Sequence, residues 1–208
     1  MGSLLSYVVA ITGASGIIYG LRTVEELSRV SEVDVIITRE AIKVSEYECL
    51  SRDELLGAIR SMARNTYRED EIEASPSSTS YLIKTRGVAI VPCSLTTLAK
   101  ISSGVADNLV TRTAINAMRI RKPLVLVIRE TPLGVIELRN MLSLAEAGAT
   151  ILPASPGFYT YPRSIDDMVN FVVGKVLDML GVEHNIYRRW EGGKPTRDHS
   201  LCRQASSK

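Results

Sequence analysis

Hydrophobic positions along the chain fall into two alternating patterns. Short β-branched runs at residues 7–12 (YVVAIT), 33–38 (VDVIIT), 88–91 (VAIV), 124–128 (LVLVI) and 149–152 (ATIL) predict strands. Several are apolar at every position, as the strands of a parallel sheet covered on both faces must be. Between them, stretches with helical spacing cover residues 17–29, 40–49, 52–64, 95–101, 108–119, 135–147 and 165–180. The alternation predicts an α/β fold, a Rossmann-like doubly wound parallel sheet. Cap signals agree: Ser51 precedes Glu54 at capping-box spacing, Ser164 precedes Asp166 and Asp167, and Gly148 and Gly181 stand where helices should end. Residues 66–80, with the run SPSSTS, have the composition of a loop. No internal repeat is present.

Composition narrows the class further. The 208 residues are 45% hydrophobic and 23% charged, enough for one buried core, taken here as residues 1–182 followed by a polar tail at 183–208. A formal net charge of +2 gives no broad field for a nucleic-acid backbone. The three thiols, Cys49, Cys93 and Cys202, form no CxxC pair and have no zinc-type spacing with His184 or His199, so neither a metal site nor a disulfide framework is expected. The apolar stretch 4–11 is too short for a signal segment, and no run approaches the roughly 20 residues of a membrane span. A cytoplasmic protein is the expectation.

Candidate chemistry gathers at the predicted carboxyl ends of strands, the edge where open α/β sheets bind ligands. The first strand runs into GASGIIYG, a small-residue turn whose backbone N–H groups can approach an anion at a helix start, with the Ser15 hydroxyl beside them. Its spacing is neither the dinucleotide fingerprint nor a P-loop. A second turn, Ser94-Leu95-Thr96-Thr97, and Thr38 add hydroxyls, which together point to a phosphate-bearing cofactor such as a flavin mononucleotide. Arg129-Glu130 follows LVLVI, offering a guanidinium for a phosphate or flavin carbonyl and a carboxylate for proton transfer. PASPGFYTYPR, residues 153–163, supplies an aromatic wall with hydroxyl tips.

Taken together, ITGASGIIYG, VPCSLTTLAKISSGVADNLVTRTA, RKPLVLVIRETPL, AEAGATILPASPGFYTYPRSIDDMVNFVVGKVLD and the late RRW resemble the UbiX-type flavin prenyltransferases over about residues 7–190. The resemblance implies a homo-oligomer, commonly a dodecamer, that binds FMN between subunits. Its activity would join a dimethylallyl group from dimethylallyl phosphate to N5 and C6 of reduced FMN, for use by a partner decarboxylase. Carried over by motif, Gly13, Ala14, Ser15, Thr38, Ser94, Leu95, Thr96, Thr97 and Arg129 contact FMN. Arg119, Tyr159 and Lys175 surround the donor phosphate, and Tyr81 lines the prenyl pocket. Ser15, Glu130 and Glu48 handle protons, with Glu130 the principal shuttle. Cations and a phenol would stabilise the charge developing on the leaving phosphate without a metal.

Two other readings stay open at the level of sequence. One is a carrier of FMN or prenylated FMN without transferase activity. The other is the related flavin-dependent cysteine decarboxylases, which rely on an early His, whereas here no His precedes His184.

Overall fold

A computed structural model describes residues 6–48 and 50–192. Cys49, the first residues of the N-terminal apolar stretch, and the tail from 193, with His199 and Cys202, lie outside the described residues.

Six strands, β1 (Ser6–Ile11), β2 (Glu32–Ile37), β3 (Asn65–Arg68), β4 (Thr85–Cys93), β5 (Leu124–Ile128) and β6 (Thr150–Pro153), form one sheet in the order β3-β2-β1-β4-β5-β6. Every pairing is parallel. The helices are α1 (Ile17–Ser28), α2 (Arg39–Tyr47), α3 (Arg52–Met62), α4 (Thr79–Leu82), α5 (Leu95–Ser102), α6 (Leu109–Arg119), α7 (Val135–Glu146) and α8 (Ile165–Met179). Single 3₁₀ turns at Ser75–Ser77 and Phe158–Thr160 complete the set.

Side chains alternate across the pleat, so each strand feeds two cores. Val9 and Ile11 of β1 face a layer built from Leu21, Val24 and Leu27 of α1, Leu55 and Ile59 of α3, and Val172 and Val176 of α8. Val8 and Ala10 face Leu98 of α5, Leu109 and Ala114 of α6, and Met141 and Leu144 of α7. All of β1 and β5 is buried, which is why they read as unbroken apolar runs. The capping boxes at Ser51/Glu54 and Ser164/Asp167 form as their spacing predicts, and Asn108 with Thr111 makes a third.

Two expectations are corrected. Residues 66–80 are not simply a loop: they contain most of β3, a 3₁₀ turn and the start of α4. β3 (NTYR) is a half-exposed edge strand bonded only to β2, so it carries no apolar run to announce it. The tail expected from residue 183 is also not simply polar surface, because Tyr187 is 8% exposed within the core that α8 helps build.

Candidate functional site

The strand order reverses between β1 and β4, where successive helices leave for opposite faces and open a crevice. Both turns that begin there are tied to one side chain. Thr12, wholly buried, donates its hydroxyl to the Pro92 carbonyl at 2.8 Å and accepts the Ser94 N–H at 2.8 Å. Gly16, at φ 96°, turns the chain into α1 in a conformation that favours glycine. Ser94 caps α5 by accepting the Thr97 N–H at 3.2 Å, and Thr38 caps α2 by accepting the Ala41 N–H at 3.1 Å. Each cap leaves hydroxyl capacity for a ligand.

Two adjoining cavities follow this edge. One of about 570 Å³ is lined by Gly13, Ala14, Ser15, Glu48, Ser94, Leu95, Thr96, Arg129 and Glu130. The other, of about 450 Å³, shares Gly13, Ser94 and Thr96 and adds Thr38, Thr97, Lys100, Asn108, Glu40 and Glu69. Each is within the range of small-molecule sites, and hydroxyls plus one guanidinium suit a phosphorylated, carbonyl-bearing ligand such as FMN. Every residue expected to touch FMN, and all three expected to handle protons, therefore meet on one edge.

Charge in the larger cavity is organised around Glu48. Its Oε1 accepts the Gly16 N–H at 2.7 Å, and its Oε2 accepts the Ile17 N–H at 2.9 Å. Two N–H groups at the start of α1 are thus taken by the protein's own carboxylate. Arg129 donates Nε–H to the Ser15 carbonyl at 3.1 Å, with Nη1 3.9 Å from Glu130 Oε1. Sequence reasoning missed Tyr19, whose phenol is held above its ordinary pKa by burial and then by the Glu48 charge, against a smaller opposing effect of Arg129. Its signal was position: three residues after Gly16, on the first turn of α1. In the smaller cavity Glu69 is raised, chiefly by burial.

The residues expected around a prenyl phosphate lie elsewhere in the chain. α6 starts where the Leu109 N–H meets the Glu69 carbonyl, beyond the end of β3, and ends where Lys122 Nζ reaches the Thr85 carbonyl at the start of β4. Arg119, at its carboxyl end, is therefore at the far edge, bonded to Asn116 at 2.7 Å in a cavity of about 430 Å³ with Ser77, Ser78 and Arg112. Tyr159 and Lys175 sit on the opposite face of the sheet. Tyr159 packs edge-on to Phe171 and Trp190, each at 5.7 Å, and the Lys175 ammonium lies 4.9 Å from the Tyr187 ring centre. Tyr187 and Asp178 were not singled out from sequence, and Trp190 entered only as the end of the RRW motif.

Tyr81, expected to line the prenyl pocket, also lies on another part of the chain. Its hydroxyl donates to Asp34 and accepts from Arg64 at the amino edge of β2, in none of the cavities just described. Asp34 is wholly buried and needs these donors, with Arg64 Nε at 3.0 Å and Asn65 Nδ2 at 2.9 Å beside them. An Asp inside the apolar run VDVII was the sign that a polar network had to form there.

Comparison with known proteins gives the chain a family. A family model described as Flavoprotein matches residues 3–177. Flavin prenyltransferase UbiX of Saccharolobus solfataricus is 50% identical over 186 residues, covering 89% of this chain and 92% of its own length. The crystal structure of AnUbiX (PadA1) in complex with FMN and dimethylallyl pyrophosphate superposes with a TM-score of 0.86 at 36% identity, covering 92% of this chain and 100% of that one. A dodecameric FMN-dependent Ubix-like decarboxylase from Escherichia coli O157:H7 gives 0.84 at 36% identity, over 90% and 100%. With half of its residues identical to such a relative across nearly the full length of both, and with the hydroxyl turns, Arg129 and Glu130 on one sheet edge, this chain belongs to the UbiX flavin prenyltransferase family of flavoproteins.

Proposed function

We propose that the protein is a flavin prenyltransferase that moves a dimethylallyl group from dimethylallyl phosphate to N5 and C6 of reduced FMN. The observation that carries this reading is the convergence of Ser15, Glu48, Arg129 and Glu130 on one cavity at the strand switch point. The hydroxyls of Thr38, Ser94, Thr96 and Thr97 would hold FMN by hydrogen bonds. The Arg129 guanidinium would contact a phosphate or a flavin carbonyl. Transfer breaks the allylic C–O bond, releases phosphate, and forms one bond to N5 and one to C6. The acceptor gives up its N5 and C6 protons, and the former alkene gains one. Glu130, which shares the cavity with Ser15, relays the N5 proton to the alkene and then takes the C6 proton, which leaves with the released phosphate. Arg119, Tyr159 and Lys175 bind the leaving phosphate.

That second group lies on other surfaces of the same chain, which supports a site completed by neighbouring copies in a homo-oligomer of the dodecameric kind. α7 fits such packing, with Val135, Ile136 and Leu142 all more than half exposed. The product then passes to a decarboxylase that uses prenylated FMN. No helix among the described residues is long and apolar enough to cross a membrane, which fits work in the cytoplasm. His184 is bonded to Asp178, away from the cavity, and gives no support to cysteine decarboxylation.

The decisive experiment incubates purified protein anaerobically with reduced FMN and dimethylallyl phosphate, or in a parallel arm the diphosphate, and weighs the flavin. A gain of one prenyl unit is expected. Unaltered FMN in both arms defeats the reading, and bound FMN with no competition by either donor would favour a carrier.

A further inference from the structure

After α8 the chain folds back as a strap, and three of its side chains converge on one carboxylate. Asp178 Oδ1 lies 2.6 Å from Arg189 Nη2 and 3.0 Å from His184 Nε2. Its Oδ2 accepts the Tyr187 hydroxyl at 2.7 Å and Arg189 Nη1 at 3.3 Å. The arginine fork spans both oxygens, a geometry stronger than a single contact to an ammonium.

Lys175 is one helical turn before Asp178 on the same helix, the spacing at which a lysine and an aspartate ordinarily pair. Here the pair is stretched to its outer limit, with Lys175 Nζ 4.0 Å from Oδ2, and the ammonium also lies over ring faces, 4.9 Å from the centre of Tyr187 and 5.5 Å from that of Phe171. Two cations thus compete for one carboxylate, and Arg189 holds it. The cluster keeps one net positive charge, carried by a side chain beside Tyr159.

We propose that Arg189 is a positioning residue: by occupying Asp178 it prevents that carboxylate from neutralising Lys175, leaving the ammonium available to the anionic leaving group of the prenyl donor. The proposal rests on the reading of Lys175 as a phosphate contact. Without Arg189, the Lys175 ammonium closes the short gap to Asp178 and the net charge of the cluster falls to zero.

The test is a double-mutant cycle on the full chain, measuring initial rates against dimethylallyl phosphate with saturating reduced FMN. Arg189→Gln should raise KM about tenfold, the loss of one charge-assisted contact, with little change in kcat. Adding Asp178→Asn to that variant should return KM to near the wild-type value, because the competing carboxylate is gone. A structural role for the strap predicts the reverse, since the double variant removes more contacts. An unchanged KM in Arg189→Gln, or no rescue, overturns the proposal. A second readout needs no turnover: lysines are reductively methylated with ¹³C and the Lys175 signal is followed as inorganic phosphate is added. It should move in the wild type, stay still in Arg189→Gln and move again in the double variant. A wild-type signal that ignores phosphate overturns the proposal, whereas a signal that responds in an enzyme without transferase activity counts only against the functional reading.

Discussion

Glu48 closes the amino end of the helix that the glycine turn opens, with Oε1 2.7 Å from the Gly16 nitrogen and Oε2 2.9 Å from that of Ile17. A carboxylate at this position satisfies donors that no intrahelical carbonyl can reach and meets the positive end of the helix dipole. Glu48→Ala should therefore cost about 1–2 kcal/mol of stability. Glu48→Gln keeps an acceptor and should cost less. Urea unfolding at one fixed protein concentration measures both, and an alanine variant with the wild-type midpoint would show that the cap contributes nothing.

The stitch between the two turns makes a second prediction. Thr12→Val preserves shape but leaves the Ser94 N–H without the partner it has at 2.8 Å. The expected loss is about 1–3 kcal/mol, the cost of an unsatisfied buried donor. FMN affinity should fall with it, because Ser94 starts the turn that lines both cavities. Thr12→Ser retains the hydroxyl and should bind FMN nearly as the wild type does. Equal FMN affinity in the valine and serine variants would remove the stitch from the binding argument.

How legible this was depends on the range of the interaction. The buried strands and the hydroxyl turns beyond them could be read locally, since period and cap chemistry are properties of a few neighbouring residues. β3 could not, because Asn65–Arg68 becomes a strand only by pairing with β2. The partner of Tyr81 was hidden for a related reason: Asp34 is 47 residues away, and only the folded chain brings a buried carboxylate to it. Motif resemblance named Lys175 as a donor-phosphate contact but could not reveal that Arg189, 11 residues beyond Asp178, takes the carboxylate one helical turn from that lysine. That Arg119 and Lys175 lie on opposite faces of the sheet is likewise a fact of topology, invisible to spacing.

The proposed role of Glu130 as proton shuttle can be tested apart from flavin binding. Its Oε1 accepts the Thr131 N–H at 3.0 Å, a bond that a glutamine can also accept, so Glu130→Gln should keep the loop and its neighbour Arg129 in place. FMN binding is expected to survive, while prenyl transfer slows by about a hundredfold or more, the usual contribution of a positioned acid or base. Stopped turnover assays with the flavin weighed at each time point check this. Undiminished turnover would remove Glu130 from the mechanism.

Gly174 allows the strap to dock. A Cβ there would lie 2.2 Å from the Tyr187 ring and 2.9 Å from that of His184, so Gly174→Ala must push the strap away. Alanine is the better helix former by about 1 kcal/mol, but overpacking against a buried ring costs about 1–3 kcal/mol, and the clash should win. Trp190 is the one tryptophan of the chain and packs on Tyr159, so its fluorescence reports the strap directly. A red-shifted emission and lower thermal midpoint are expected. An unshifted spectrum would mean that Tyr187 accommodates the methyl group without undocking.

Asp178 gives the strap an acid limit. Burial alone would raise its pKa, but hydrogen bonds from Arg189, Tyr187 and His184 outweigh that and hold it at about 2, against an ordinary 3.8. A carboxyl whose pKa is lower folded than unfolded stabilises the folded state fully above its unfolded value and loses that contribution as the pH falls toward the folded one. The window is therefore between about pH 4 and pH 2. Thermal midpoints of the wild type and Asp178→Asn, measured from about pH 5 downward, should differ most at the top of that range and converge toward its bottom. Trp190 emission should begin to shift at a higher pH in the wild type than general unfolding requires. If the gap between the two proteins stays constant across the window, the carboxylate at the centre of the strap is not held ionised by its three partners.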